Sequence, residues 1–316
     1  MNKRPAAALF LAMTVISGRV HAGFEPQVIY GSDDRLDLYQ VQDRKLLELA
    51  DSTVGLFMSF DVRTEGDKAV LFTHPYGEKL NLCKEEPFWE QNAGAFCSGA
   101  LVGPDVILTA GHCLESELDC SVTKFVFGFA MTKAGEQPAS VDINEVYRCV
   151  GLLGRETRKK GPDWALVKLD RPVENHAVLK LDMSGTLANG DPVFSIGHPA
   201  GLPKKIVGGG KVRDISPQGF FVAAIDAYGG DSGSPVFNAK NGLLEGILVA
   251  GERDFIYKGD CRVSKVCAED DCRGEDVTKL SSVAFPRAEA AATARLNPLG
   301  ERLSKLLEQQ AATLIP

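Results

Sequence analysis

The sequence lacks a long hydrophobic run beyond its first residues. Its one early apolar stretch, residues 6–16, follows Lys3 and Arg4 and is too short to span a bilayer. With the small residues after it, this layout predicts a secretory signal over residues 1–22, although an amphipathic anchor is the alternative. We expect the remaining chain to be a soluble monomer without membrane contact, exported to the periplasm or the medium.

The sequence also lacks an excess of positive charge. The whole chain carries a formal net charge of −7. Removal of the predicted signal takes away three basic residues and leaves 32 basic against 42 acidic ones, a net charge of −10. A chain of this sign is not expected to bind nucleic acid. Internal repeats and low-complexity segments are absent as well.

Long helical periodicity is scarce between residues 52 and 287. This region consists of short apolar or alternating runs, such as 53–57 and 246–249, separated by Gly, Pro, Asn and Asp. The pattern predicts an all-β protein of antiparallel strands rather than alternating strands and helices. Residues 95–110 read as strand, tight turn and strand, with Gly-Pro-Asp at the turn.

The two ends of the chain read differently from this β-rich middle. Residues 23–50 are polar and acidic with little periodicity, so they are either a propeptide or an ordered N-terminal strap. In residues 291–316, Asn297-Pro298 supplies a helix start and four leucines recur at helical spacing, which predicts a C-terminal α-helix.

All eight cysteines lie after the predicted signal. An even number in an exported chain predicts up to four disulfides. Metal binding by Cys261, Cys267 and Cys272 is the alternative, but no histidine lies near them in sequence. We expect no metal and no cofactor. Eight cysteines allow 105 pairings, so the sequence by itself does not select one.

Three short motifs follow one another along the chain. They are Thr-Ala-Gly-His-Cys at 109–113, Asp-Trp-Ala-Leu-Val at 163–167 and Gly-Asp-Ser-Gly-Ser-Pro at 230–235. Each alone is weak evidence, because glycine-flanked serines are common in turns. In the order His, Asp, Ser, which differs from that of subtilisins and α/β-hydrolases, they resemble the trypsin-like serine proteases.

This resemblance covers roughly residues 52–255. It implies two packed six-stranded Greek-key β-barrels, at 51–170 and 171–290, with a cysteine-rich insertion at 252–280. It also implies a disulfide between Cys97 and Cys113. Cys120 and Cys149 form a plausible second pair, and Cys83 with the three later cysteines completes the count.

The chemistry of the three motifs follows from their residue types. A serine hydroxyl needs a nearby base, and imidazole suits that role, so we assign Ser232 as nucleophile and His112 as base. The imidazole needs a carboxylate partner, for which Asp163 is the candidate. The backbone N–H groups of Gly230 and Ser232 would stabilise the oxyanion. The sequence thus predicts a secreted serine endopeptidase acting on proteins or peptides.

Substrate preference is less determined. Asp226 stands six residues before Ser232, the spacing of the trypsin pocket carboxylate, and Gly251 would leave the pocket open, which predicts cleavage after Arg or Lys. Alternatively, Asp226 only hydrogen-bonds a turn. Residues 197–203 and 230–238 resemble the bacterial branch that includes glutamyl endopeptidases, yet Leu248 stands where those enzymes have a histidine.

Activation is also open. Asp231, the residue before the nucleophile, is the one that pairs with a new N-terminus when a trypsin zymogen is cleaved. The sequence has no Arg-Ile-Val-Gly-Gly activation site. Either Val28 is a processed terminus, or Asp231 pairs with an internal Arg or Lys.

Two rival functions remain as alternatives from the sequence. A non-catalytic trypsin-fold binding protein would not require all three triad positions to be filled. A quality-control protease of the high-temperature-requirement type would carry a PDZ domain and a Gly-Asn-Ser-Gly-Gly motif, and the sequence shows neither.

Overall fold

The computed structural model describes residues 33–158, 161–251, 254–267 and 272–286. The predicted signal peptide, residues 23–32 of the predicted strap and the predicted C-terminal helix lie outside the described residues. None of the helices that are described is both long and apolar enough to cross a membrane.

The first half of the described chain contains short strands and three short helices, α1 (Arg44–Asp51), α2 (Tyr76–Lys79) and α3 (Glu117–Ser121). Its strands are β1 (Arg35–Asp37), β2 (Thr53–Met58), β3 (Val62–Glu65), β4 (Lys68–Leu71), β5 (His74–Pro75), β6 (Asn92–Ala93), β7 (Cys97–Gly103), β8 (Val106–Thr109), β9 (Thr123–Val126), β10 (Ser140–Asp142), β11 (Val146–Thr157) and β12 (Asp163–Leu169).

The second half consists of strands joined by loops and short 3-10 turns. Its strands are β13 (Pro192–Gly197), β14 (Lys205–Asp214), β15 (Phe220–Ala224), β16 (Pro235–Asn238), β17 (Leu244–Ala250), β18 (Phe255–Lys258), β19 (Cys261–Ser264) and β20 (Glu275–Lys279). The 3-10 turns of the described chain are Leu38–Gln40, Ser59–Asp61, Gly111–Cys113, Ile143–Glu145, Pro199–Gly201 and Leu280–Ser282.

Two closed antiparallel barrels form the body. The first has the strand order β11-β12-β8-β7-β2-β9, and its interior is filled by apolar side chains such as Leu56, Ile107 and Phe125. The second has the order β14-β13-β16-β17-β20-β15, and it closes because β15 pairs back with β14. The predicted all-β double-barrel fold is therefore confirmed.

The barrels share a common apolar core. Leu108 and Trp164 of the first barrel belong to the same buried cluster as Ile196, Phe237 and Ile247 of the second. Burial of this apolar surface holds the two barrels together. The predicted active-site residues also contact one another between the barrels, since His112 and Asp163 come from the first and Ser232 from the second.

The segment before the first barrel packs against the second one. Strand β1 extends the sheet by pairing antiparallel with β14, with Arg35 opposite Val207 and Asp37 opposite Lys205. Helix α1 follows, starting at the N-cap Asp43, whose side chain accepts from the amide of Lys45. Residues 33–51, which include the described part of the predicted strap, thus pack against the second barrel. The strap below means these residues.

Candidate active site

His112 lies at the end of β8, where the chain enters the 3-10 turn Gly111–Cys113. The turn is tightly packed, because a β-carbon at Gly111 would come within 2.8 Å of an Asp163 side-chain oxygen. A disulfide joins Cys113 to Cys97 at the start of β7. The loop carrying the imidazole is thus fixed covalently to the adjacent strand.

Asp163, the first residue of β12, contacts His112 through both carboxylate oxygens. Oδ2 lies 2.6 Å from Nδ1 of the imidazole, and Oδ1 accepts from the His112 backbone amide at 3.0 Å. The backbone of Asp163 is held in turn by Thr278 of the second barrel, whose Oγ1 accepts from its N–H and donates to its C=O, both at 3.0 Å. Sequence reasoning missed Thr278, because nothing local to position 278 indicates a partner 115 residues away.

The other imidazole nitrogen faces the serine. Nε2 of His112 lies 2.8 Å from Oγ of Ser232. With Asp163 on Nδ1, the tautomer that keeps a proton on Nδ1 leaves Nε2 free to accept the proton of the hydroxyl. The structure therefore brings the three predicted side chains into one continuous hydrogen-bond chain across the two barrels.

The backbone around Ser232 forms a tight turn, residues 228–234. Asp231 N donates to Tyr228 O at 2.9 Å, and Ser234 N donates to Asp231 O at 2.7 Å. Gly230 has a φ of +102°, a conformation that side-chain-bearing residues resist. Within the described chain, the amides of Gly230 and Ser232 take part in none of these backbone bonds.

Ser98 of β7 anchors this turn to the first barrel. Its backbone N–H donates to Ser232 O at 2.8 Å, and its Oγ donates to Gly230 O at 3.1 Å. The same Oγ accepts from the amide of His198 at 3.0 Å. Ser98 is fully buried, so these bonds are shielded from water. Sequence reasoning missed this residue as well, since it lies 134 positions before the nucleophile.

Asp231, beside the nucleophile, is buried with its side chain turned into the protein. Its Oδ2 accepts from Tyr228 N and its Oδ1 from the Ser234 hydroxyl, both at 3.1 Å. Burial raises the pKa of Asp231 to about 7, although the two hydrogen bonds and the charge of Arg35 oppose that shift. In the described part of the chain no cation lies within ion-pair distance of this carboxylate.

A cavity of about 180 Å³ opens beside Ser232. Its wall includes Gly251 and two acidic residues, Asp254 and Glu275, whereas Asp226 is buried and does not line it. A side chain at 251 would overlap the Glu275 carboxylate, so the glycine makes room for that group instead of leaving the cavity open. Of the two residues predicted to bind substrate, Gly251 lines this cavity and Asp226 does not, and both roles stay predictions.

All eight cysteines are paired. Besides Cys97–Cys113, the structure contains Cys120–Cys149 within the first barrel and Cys267–Cys272 in a late loop. The fourth bond, Cys83–Cys261, joins the segment that follows α2 to the hairpin formed by β18 and β19. Disulfides of this number are compatible with an extracellular or periplasmic protein.

Comparison with known proteins shows that the chain is similar to peptidases. Residues 97–247 match the family described as trypsin-like peptidase domain. Chymotrypsin-like elastase family member 3A of Homo sapiens is 29% identical over 109 residues, which are 34% of this chain and 38% of that protein. Member 3B of Macaca mulatta is also 29% identical over 109 residues, 34% of this chain and 40% of its own. The match thus spans about two fifths of these relatives.

Solved structures that align with this chain include the Rv3671c protease of M. tuberculosis. Its active form aligns with a TM-score of 0.44 and 14% identity, over 78% of this chain and 84% of that one. Its inactive form aligns with a TM-score of 0.43 and 13% identity, over 78% and 93%. The family match, together with the curated relatives, supports a trypsin-like serine protease.

Proposed function

We propose that this protein is an exported serine endopeptidase in which Ser232, His112 and Asp163 form the catalytic triad. The observation that carries the proposal is the unbroken chain of hydrogen bonds from Asp163 through His112 to Ser232, with distances of 2.6 and 2.8 Å. Both distances lie within the reach that proton transfer requires.

In the first step Ser232 Oγ attacks the carbonyl carbon of the scissile peptide while its proton moves to Nε2 of His112. The Asp163 carboxylate stabilises the resulting imidazolium. The tetrahedral intermediate then collapses, the C–N bond breaks, and the imidazolium gives its proton to the leaving amine. Water repeats the sequence on the acyl-enzyme, releases the acid product and restores the Ser232 hydroxyl.

The oxyanion of each intermediate would be bound by the amides of Gly230 and Ser232. Their N–H groups are available because they do not take part in the backbone bonds of the turn. One such donor typically lowers the activation free energy by about 3 kcal/mol. Ser98, which holds the carbonyl of Gly230, fixes the orientation of the peptide that follows it.

The acidic cavity favours substrates with Arg or Lys before the cleaved bond. Asp254 and Glu275 both line it beside Ser232, and carboxylates in a partly enclosed site favour a cationic side chain. Burial raises the pKa of Asp254, and the amide of Gly229, which donates to its Oδ2 at 2.8 Å, opposes that shift. The similarity to the glutamyl endopeptidase branch stays a prediction.

A peptide panel that varies the residue before the cut tests this preference. We expect Glu275→Gln to weaken cleavage after Arg and Lys relative to uncharged residues, whereas Asp226→Asn should have a smaller effect. Preference for Glu, or an unchanged profile in Glu275→Gln, would contradict the assignment.

The catalytic proposal is tested with a fluorophosphonate probe and a peptide library. Wild-type protein should be labelled on Ser232 and should cut peptides, and Ser232→Ala should do neither. Hydrolysis that survives in Ser232→Ala would rule out the mechanism. A folded wild type that is never labelled, under any processing condition, would favour the rival function of a non-catalytic binding protein.

Export and processing belong to the same proposal. Sequencing the N-terminus of the secreted protein should give Gly23 if only the signal is removed, and Val28 if a short propeptide is cleaved as well. A mature N-terminus beyond Arg35 would remove the first part of the strap and exclude a role for Arg35 in the working enzyme.

A further inference from the structure

Arg35 of the strap lies in an unusual position for an arginine. Only 3% of the residue is exposed, and Asp33 clamps its guanidinium, accepting from Nε at 2.9 Å and from Nη2 at 2.8 Å. The guanidinium lies over two aromatic rings, 4.9 Å from the centre of Phe88 and 4.3 Å from that of Tyr228. Three separate parts of the chain therefore meet at this one cation.

This burial has a cost that the observed hydrogen bonds offset only in part. Nη1 of Arg35 is buried and meets no acceptor with good hydrogen-bond geometry among the described residues, although the guanidinium and the buried Tyr76 hydroxyl interact. A buried charged group with an unsatisfied donor often destabilises the fold relative to an apolar side chain of similar volume. A guanidinium between two rings gains cation–π stabilisation that an apolar side chain would lack. The arrangement thus favours a positive charge at this place.

Tyr228 connects Arg35 to the nucleophile turn. Its ring contacts the guanidinium, and its hydroxyl donates to Ser264 Oγ at 3.0 Å. Its backbone N–H donates to the carboxylate of Asp231, and its C=O accepts from the Asp231 amide. The residue whose ring contacts Arg35 is thus hydrogen-bonded, through its backbone, to the turn that presents Ser232.

Asp231 faces several groups, and two of them are charged. Arg35 of β1 favours its ionised form, whereas Asp254, before β18, opposes it. The Tyr228 amide and the Ser234 hydroxyl donate to it. Four further ionisable groups act on Arg35 or on the buried His198 instead of on Asp231. Asp33 and Tyr76 act on Arg35, and Lys204 and Lys205 act on His198. Burial and the nearby lysines lower the pKa of His198 to about 3, so this imidazole is neutral at working pH.

We propose that Arg35 is a positioning residue of the active site: it fixes the Tyr228 ring, whose backbone is hydrogen-bonded to Asp231, and adds a positive charge that favours the Asp231 carboxylate, so that the turn 228–232 holds its shape. The strap is then a permanent part of the working enzyme. The catalytic side of this inference rests on the proposed function, whereas its electrostatic side does not.

The kinetic test compares three variants. Arg35→Met removes the charge and should lower kcat at neutral pH by about tenfold or more with little change in KM, because the oxyanion turn acts mainly on the transition state. Arg35→Lys keeps the charge and should recover part of the loss. Arg171→Met is the matched control, since Arg171 lies over Tyr147 at 3.9 Å in the first barrel, and it should change kcat less than about twofold.

The pH profile separates this role from a purely structural one. Loss of a nearby cation raises the pKa of a carboxylic acid, so the acid limb of kcat/KM should move to higher pH in Arg35→Met. In the Asp231→Asn background the same substitution should no longer move the limb. An unchanged kcat and profile in folded Arg35→Met would overturn the inference, and so would an equal shift in both backgrounds.

A measurement that does not need activity completes the test. Carbon-13 NMR of Asp231 in the Ser232→Ala protein should give a carboxyl titration that Arg35→Met, or Arg35→Lys if the first variant fails to fold, moves to higher pH. An unmoved titration overturns the electrostatic role even in an active enzyme. A moved titration in a protein that fluorophosphonates never label would refute the proposed function and leave the Arg35–Asp231 coupling intact.

Discussion

The two barrels fix their parts of the active site in different ways. The first barrel carries His112 on a loop that the Cys97–Cys113 disulfide clamps, and it contains a second disulfide, Cys120–Cys149. The second carries Ser232 on a turn held by hydrogen bonds and buried charges, and no disulfide joins two of its six barrel strands within the described residues. The base should therefore respond mainly to reduction and the nucleophile turn mainly to pH.

The largest effect is expected from Asp163→Asn. An amide in place of the carboxylate would present its NH₂ group to Nδ1 of His112, which favours the wrong tautomer for accepting the serine proton. We expect kcat to fall about 10⁴-fold with the fold retained. Steady-state kinetics and circular dichroism check this. A loss below tenfold would mean that the Asp163 carboxylate is not the group that orients His112 and stabilises the imidazolium.

The disulfides of the first barrel can be separated by their place. Replacing Cys97 and Cys113 together by alanine should cost about 3 kcal/mol of unfolding free energy and should also lower kcat. The control pair, Cys120 and Cys149, has a sequence separation of 29 against 16 and joins α3 to β11 instead of holding the loop that carries His112, so its replacement should cost a similar or slightly larger amount while kcat stays the same. Denaturant unfolding and kinetics measure both. Equal kcat values in the two variants would remove the proposed link between the clamp and the base.

Gly233→Ala tests the turn of the second barrel. Gly233 has a φ of +87°, and a β-carbon there would overlap the carbonyl oxygen of Ser98. We expect a loss of about 2 kcal/mol in stability together with lower kcat. Gly135→Ala is the control, because Gly135 has a φ of +73° with no atom near its would-be β-carbon. If both variants kept full activity, the close approach of Ser98 would not matter for catalysis.

The smallest effect concerns a buried charge beside the first barrel. His176 lies between Asp51 and Glu145, at 2.8 and 2.6 Å, and stacks on Phe127. Burial opposes its charge, but the two carboxylates outweigh it and raise the pKa of His176 to about 9. Because this exceeds the unfolded value near 6.5, the stabilisation is complete below about pH 6.5 and is lost as pH rises through about 9.

His176→Gln should therefore cost about 1 kcal/mol at pH 6 and less at pH 10. Thermal unfolding at both values measures the difference. A cost that does not change with pH would mean that His176 acts through packing alone. It would also sharpen the contrast between the barrels, since pH would then act on the second barrel and not on the first.

Local patterns predicted much of this molecule. The hairpin at 95–110 appears as β7 and β8, because alternating apolar residues and a Gly-Pro-Asp turn decide it within a few positions. The three motifs predicted His112, Asp163 and Ser232, and the structure holds these side chains within hydrogen-bond distance of one another. Asp163 is the first residue of β12, whereas His112 lies in the 3-10 turn after β8 and Ser232 in the turn before β16.

Long-range contacts were beyond the sequence. Ser98 and Thr278 look like ordinary strand residues in the sequence, because their partners lie in the opposite barrel. Arg35 belongs to a segment that the sequence shows only as polar and acidic. The carboxylates that line the cavity were beyond the sequence for the same reason. A six-residue spacing pointed to Asp226, yet the wall is built from the ends of β17 and β20 and from Asp254, whose approach depends on how the hairpin of β18 and β19 is held.

The bond between Cys83 and Cys261 crosses the connection between the barrels, since its cysteines are 178 residues apart. A single cut anywhere in the linker between β12 and β13 would leave the two fragments covalently joined. The nicked protein would run as one band on a denaturing gel without thiol and as two bands after reduction. Self-cleavage during maturation would thus pass unnoticed on a denaturing gel run without thiol.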